Sequence, residues 1–338
     1  MRRRTRVAIV GAVLFALGLG VAPVWALSLP TKDRPTPCTG SGRLLTCTVL
    51  LPKNVKVRSN KVTVLVPKDY AKRGNGRLYP VVYVLHGVGD DNASWTNPSR
   101  GDLAALTASC KAIFVMPDGG SGPLAGWYSD WKDGSYQYET YHTQVVRQAI
   151  DRTFRTTNSQ SIAGLSMGGF GALSYSARHP GMFKATASYS GFVDTQFGAP
   201  ISGVTNDVGG QNPVYSLGTP SKRVWGDQTS DAATWAAHNP YALVTKLRGQ
   251  RLFVSSGHGL LGGSQSDDPT KAANYVTEAY VGHLNDRFAT ALAANKIAFT
   301  DAREQGGRHD WPYWRANFTK SLKVLMPPLR AASKGCGA

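Results

Sequence analysis

Apolar positions along the chain fall into short continuous runs, broken by polar and glycine-bearing segments, and these runs alternate with stretches of helical spacing. Residues 44–51 and 61–67 are rich in β-branched side chains and lie either side of a polar turn at Ser59-Asn60, which predicts strands that enter a sheet antiparallel. Residues 80–85 are continuously apolar and run into His86-Gly87-Val88-Gly89, and residues 112–116 repeat the pattern before Pro117-Asp118-Gly119-Gly120. Such runs suit buried strands whose carboxyl ends open into loops. Tyr141, Val145, Val146 and Ile150 give residues 139–154 a helical period. Further strands are predicted at 161–163, 183–190, 252–256 and 297–302, with helices at 170–178, 273–293 and 314–324. The alternation predicts an α/β protein with a mostly parallel central sheet flanked by helices, in which ligands bind beyond the strands' carboxyl ends. Residues 198–218 and 225–241 carry little regular pattern, so a lid-like insertion is expected around 196–241. No internal repeat is present.

The amino terminus departs from this pattern. Arg2, Arg3, Arg4 and Arg6 precede an uncharged apolar run at 7–21, and Val24-Trp25-Ala26 offers small residues where a signal peptidase reads. Residues 1–26 are therefore expected to be a secretory signal cleaved after about Ala26, placing the product outside the cell or on its wall. Residues 27–59 form an N-terminal segment, 60–328 one catalytic domain and 329–338 a tail. With 338 residues, 42% of them hydrophobic, a single large core is feasible. The formal net charge is +17, and removing residues 1–26 takes away four arginines and no acid, leaving +13. That excess favours anionic surfaces such as cell-wall polymers. The basic residues are scattered, and no zinc-finger, helix-turn-helix or aromatic RNA-binding pattern is present, so nucleic acid is not an expected partner. Four cysteines in an exported chain suit disulfides. Cys38 and Cys47 bracket a turn and are expected to staple a hairpin, which would leave Cys110 and Cys336 to tie the tail to the body, although sequence alone allows three pairings. No Cys/His spacing suits a metal, and no cofactor is expected.

The chemistry centres on Gly164-Leu165-Ser166-Met167-Gly168-Gly169, a G-x-S-x-G sequence between a predicted strand and a predicted helix. This is the setting of the nucleophile elbow of α/β-hydrolases, where the serine sits on a turn so tight that its neighbours must lack side chains. A serine hydroxyl needs a base within hydrogen-bond reach and an acid to orient that base. Five of the seven histidines follow Ser166. His309, in a glycine-led loop between the last strand and the last helix, occupies the place where such a fold delivers its base, and His258, after the strand at 252–256, is the runner-up. His179, His238 and His283 read as structural. The N–H groups of Met167 and Val88 are the expected oxyanion donors, with glycines either side of Val88 to allow close backbone approach. His86 could support that loop or contact substrate.

Taken with His86-Gly87-Val88-Gly89, Gly126 to Trp131, Tyr138-Glu139-Thr140 and His309-Asp310-Trp311-Pro312-Tyr313-Trp314, the elbow resembles the secreted antigen 85 mycolyltransferases and their esterase D relatives over residues 60–326. The resemblance implies an α/β-hydrolase fold and a Ser/Glu/His triad whose acid lies on a helix, matching Glu278 in Val276-Thr277-Glu278-Ala279. Asp267 and Asp268 are the alternatives, because ordinary hydrolases place their acid nearer the strand. Antigen 85 enzymes carry Asp-Gly-Leu-Arg where this chain has His86 to Gly89, and the loss of that arginine and aspartate weakens a trehalose acceptor. Trp127, Trp131, Trp311 and Trp314 are candidate walls of an acyl pocket. The expectation is a secreted serine esterase acting on an acyl ester, with lipids and glycolipids among the candidates. Acyl transfer to a cell-envelope carbohydrate is the alternative, and a non-catalytic binding protein on the same fold is the reading from another class.

Overall fold

The computed structural model describes residues 35–197, 221–330 and 336. The expected signal segment and residues 198–220 of the expected insertion lie outside the described residues. The sheet order is β1-β2-β3-β5-β4-β6-β7-β8-β9. Its strands are β1 Cys38–Ser41, β2 Leu44–Thr48, β3 Lys61–Leu65, β4 Tyr79–Leu85, β5 Ile113–Pro117, β6 Thr156–Leu165, β7 Ala185–Tyr189, β8 Arg251–Ser255 and β9 Thr300–Asp301. The first three are joined antiparallel to one another and to β5, and the rest are parallel. This is an α/β-hydrolase-type sheet with an antiparallel entry, as the β-branched runs predict.

The alternation of side chains explains why both faces are covered. Val81, Tyr83 and Leu85 of β4 enter one core cluster, while Val82 and Val84 enter the other. The helices are α1 Leu103–Leu106, α2 Tyr138–Thr140, α3 Arg147–Thr153, α4 Met167–Arg178, α5 Ser221–Trp225, α6 Ala232–His238, α7 Ala272–Ala294 and α8 Trp311–Leu325. A π-helical stretch, Tyr141–Val146, joins α2 to α3 where the spacing predicts one continuous helix. Helix α4 is buried except at Arg178, because its small residues let it lie directly on the sheet. On the opposite face, α8 packs Phe318, Leu322 and Leu325 into the second cluster.

Strand β9 has two residues rather than the six of the predicted run, since it pairs at the sheet edge only with Phe253 and Val254. Both expected disulfides are present, Cys38–Cys47 across the first hairpin and Cys110–Cys336 between the loop before β5 and the tail. From β4 the chain goes to β5 on one side and later to β6 on the other. The crevice beyond the carboxyl ends of β4 and β6 is thus the switch point at which such folds bind ligands.

Candidate active site

Ser166 follows β6 directly and opens α4 with φ 53° and ψ −121°, a conformation that non-glycine residues rarely hold. The turn survives because nothing projects from its neighbours. A Cβ on Gly164 would lie 2.2 Å from the Gly168 carbonyl oxygen, and one on Gly168 would lie 2.5 Å from that of Leu85. Holding a serine here costs about 1–3 kcal/mol of backbone strain, which the surrounding packing offsets. The Ser166 N–H donates to the Tyr189 carbonyl at 2.9 Å, which joins the elbow to β7.

His309 stands 2.8 Å from the Ser166 hydroxyl through Nε2 and 2.7 Å from Glu278 Oε2 through Nδ1. Only one proton arrangement satisfies both contacts with a neutral ring: Nδ1–H donates to the carboxylate and the Nε2 lone pair faces the serine O–H. His309 is held in place by its backbone N–H, which donates to the Asn274 carbonyl at 3.0 Å, and by the Trp314 ring, edge-to-face at 4.9 Å. Glu278 lies on α7 and is 1% exposed. Its other oxygen, Oε1, accepts from the Gly257 N–H at 2.6 Å and the Ser190 hydroxyl at 2.7 Å. In turn, Ser190 Oγ accepts from the Trp314 indole at 3.2 Å. A buried carboxylate surrounded by three donors avoids the penalty of an unpaired buried charge.

The sequence alternatives for the acid point elsewhere. Asp267 accepts from the Gly262 N–H and the Tyr275 hydroxyl, and Asp268 caps a short 3-10 turn through Thr270. His258 also stands apart from Ser166, bonded to Asp286 and the Glu304 carbonyl.

The loop after β4 is fixed by its carbonyls. His86 is 1% exposed, and its Nε2 accepts the Gly119 N–H at 2.7 Å. The ring proton therefore sits on Nδ1, which donates to the Gly87 carbonyl at 2.8 Å. That carbonyl also receives the Asp90 N–H at 3.2 Å, the Tyr128 hydroxyl holds the His86 carbonyl, and the Gly122 N–H holds that of Val88. In a planar trans peptide the N–H points opposite to the C=O, so pinning the Gly87 oxygen turns the Val88 N–H the other way. Met167 is the first residue of α4, so its N–H has no intrahelical acceptor. His86 thus supports the loop and does not line the site.

A cavity of about 340 Å³ opens over Ser166 and His309. Leu165, Phe192, Trp311 and Trp314 make its apolar wall, while Asp90 and Arg100 make a charged one. Trp127 is fully buried against Phe170, Phe192 and Trp225. Trp131 donates its indole N–H to the Gly126 carbonyl and stacks under Arg223. Neither lines the cavity, so of the four expected tryptophans Trp311 and Trp314 do. Phe192, Thr277, Asp90, Arg100 and Ser190 carry no sequence signal of a site. Gly257 does carry one, as a glycine at the carboxyl end of a buried strand. Asp90 pairs with Arg100 at 2.9 Å, and burial raises the pKa of its carboxyl.

The model of one protein family, Esterase, described as "Putative esterase", matches residues 56–325. The chain belongs to this Esterase family. A relative from Mycobacterium tuberculosis named Esterase Rv1288 is 34% identical over 290 residues, covering 82% of this chain. This chain spans only 58% of that relative's length. A Mycobacterium avium protein named diacylglycerol acyltransferase/mycolyltransferase Ag85C is 28% identical, with 98% of this chain and 87% of that protein aligned. Among solved structures, Mycobacterium tuberculosis MPT51 (FbpC1) superposes with a TM-score of 0.65 at 19% identity, over 84% of this chain and 97% of its own. That likeness concerns the fold, an α/β-hydrolase sheet. This Esterase family member therefore places a serine, a histidine and a glutamate in contact at the crevice where the fold binds ligands. Among the described residues no group of acidic, histidine and cysteine side chains could hold a metal, and no helix is long and apolar enough to cross a membrane.

Proposed function

We propose that the protein is a serine esterase that acts on a carboxylic ester through an acyl-enzyme. The observation that carries the reading is the contact of Ser166 Oγ with His309 Nε2 at 2.8 Å while the opposite ring nitrogen meets Glu278 at 2.7 Å. Ser166 Oγ attacks the ester carbonyl carbon as its proton passes to Nε2, and the carbonyl oxygen becomes an oxyanion facing the N–H groups of Val88 and Met167. The imidazolium, stabilised by Glu278, then protonates the leaving alkoxide as the C–O bond breaks. Next, His309 takes a proton from water, hydroxide attacks the acyl carbon, and Ser166 leaves with the proton returned.

The apolar wall accepts the acyl part and the Asp90–Arg100 side a polar alcohol part. If an alcohol replaces water in the second half, the same steps give acyl transfer. The aligned relative named as an acyltransferase and the charged wall favour that second reading. Export through residues 1–26, and adhesion of a +13 chain to an anionic wall, belong to the same proposal.

The test is mass spectrometry of the protein after a fluorophosphonate probe, for wild type and Ser166→Ala, together with turnover of p-nitrophenyl esters with and without added sugars. Labelling at Ser166 alone, and turnover lower by about 10⁶-fold in the variant, is expected. Turnover accelerated by sugars would favour transfer over hydrolysis. An unlabelled, folded wild type would leave a binding protein on a hydrolase fold.

A further inference from the structure

His258 takes no part in the chemistry above, yet it sits where three segments that build the triad meet. The first is the exit of β8, whose Gly257 N–H donates to Glu278. The second is α7, which carries Glu278. The third is the loop after β9, which leads to His309. Glycines bring their backbones into contact. A Cβ on Gly282 of α7 would lie 2.3 Å from the Gly257 carbonyl oxygen and 3.1 Å from His258 Cα, and one on Gly257 would lie 2.5 Å from the Gly306 carbonyl oxygen. The imidazole joins the same three segments. His258 Nδ1 is 2.7 Å from the Glu304 carbonyl, Nε2 is 2.9 Å from Asp286 Oδ2 on α7, and the backbone N–H donates to the Gly306 carbonyl at 3.3 Å.

The Glu304 carbonyl and the Asp286 carboxylate are both acceptors. Both contacts are hydrogen bonds only if both ring nitrogens carry protons, so the contact set selects the imidazolium. A neutral ring keeps one bond and turns a lone pair toward the other oxygen. The charged groups around the ring are Asp286 from α7, Asp301 from β9, and Arg303 and Glu304 from the loop after it. Arg303 bonds both Asp286 and Asp301, and the Glu304 carboxylate is taken by the N–H and hydroxyl of Ser264. Asp286 is therefore shared between Arg303 and His258. Burial alone would lower the His258 pKa, but the hydrogen bonds to Glu304 and Asp286 outweigh it and leave the pKa raised. A raised folded pKa means that this contribution is present at low pH and is lost as pH rises through it.

We propose that His258 is a positioning residue for the triad. Held between Glu304 and Asp286 as an imidazolium, it locks the β8 exit against α7 and the His309 loop, and its deprotonation releases that lock. The inference rests on the serine esterase reading for its kinetic consequence, while the lock itself rests on contacts alone.

The experiment compares the pH dependence of kcat and KM for a p-nitrophenyl ester in wild type, His258→Gln and Asp286→Asn, with imidazole NMR spectra of the same full-length proteins. In wild type, kcat is expected to fall with rising pH as the His258 signals titrate, and the hydrogen-bonded Nδ1–H signal of His309 is expected to broaden over the same range. His258→Gln should lower kcat roughly tenfold with KM unchanged and abolish that fall with rising pH. Asp286→Asn, at a half-buried site, should move that fall to lower pH. Wild-type-shaped profiles in both variants, with a His309 signal indifferent to the ionisation of His258, would overturn the proposal. The spectra decide the lock even if no ester is turned over, and that second outcome would remove the esterase reading alone.

Discussion

Two Ser/His/Glu constellations among the described residues differ in which atoms meet, those around Ser166 and those around Ser129. At Ser166 the serine and the glutamate meet opposite nitrogens of His309, at 2.8 and 2.7 Å. At Ser129 both partners lie on the same nitrogen: His238 Nδ1 is 3.4 Å from the Ser129 hydroxyl and 3.8 Å from Glu139 Oε2. Ser129 is fully buried, donates to the Trp127 carbonyl and accepts from the Trp225 indole. Glu139 is bonded to Arg178 at 2.9 Å and to His179 at 2.8 Å, both at the end of the elbow helix. The same three residue types therefore line up across the ring in one place and crowd one nitrogen in the other. What separates them is which ring nitrogen each partner takes, and whether the hydroxyl faces a cavity.

The widest expected separation is between Glu278→Gln and Glu139→Gln. The first should lower kcat by roughly 10⁴-fold with the melting temperature little changed, because an amide no longer selects the Nδ1–H tautomer. The second should cost about 3–5 kcal/mol of stability by leaving Arg178 and His179 without their buried partner, while kcat of the protein still folded changes little. Ester kinetics beside thermal denaturation of both variants checks the pair. A Glu139→Gln protein as inactive as Glu278→Gln, at full stability, would erase the distinction.

A smaller effect comes from acid. Burial and the Arg178 charge push the His238 pKa down to about 4, and burial pushes that of His142 down to about 3. Both rings stay neutral in the fold while the unfolded chain takes up protons near the ordinary 6.5. Stability is therefore fully present above 6.5 and falls as pH drops toward 4. Glu139 adds to this at lower pH: burial alone would raise its pKa, but His179 and Arg178 hold it below the usual range. Melting temperatures between pH 7 and 4.5 should fall less steeply in His238→Gln than in wild type. The smallest change is expected for Ser129→Ala, with kcat within about twofold of wild type and a loss of about 1–3 kcal/mol from the unpaired Trp225 N–H.

The elbow and the position of His309 beside it were legible in the chain because each follows from local sequence and element order. Gly164 and Gly168 are forced by backbone oxygens closer than 3 Å to where their Cβ atoms would lie, and His309 is fixed by its order after the last strand. Glu278 was legible only through family resemblance, since its acid reaches the site from the second turn of a helix and is chosen by Gly257 and Ser190, which are distant in sequence. Aromatic content was a poor guide to the cavity. Trp127 and Trp131 sit in the same kind of glycine-bearing, aromatic-rich segment as Trp311, and only packing decides that the first two turn inward. Asp90 and Arg100 were invisible because neither residue is unusual until the fold brings them beside Ser166.

Cys110 and Cys336 are joined across 226 positions, and Ser166, Glu278 and His309 all lie between them. A protease that cuts the backbone once anywhere in that span leaves a single covalent molecule carrying the whole triad. Such a nicked protein would keep its mass, apart from one added water, and would separate into two pieces only after reduction and denaturation.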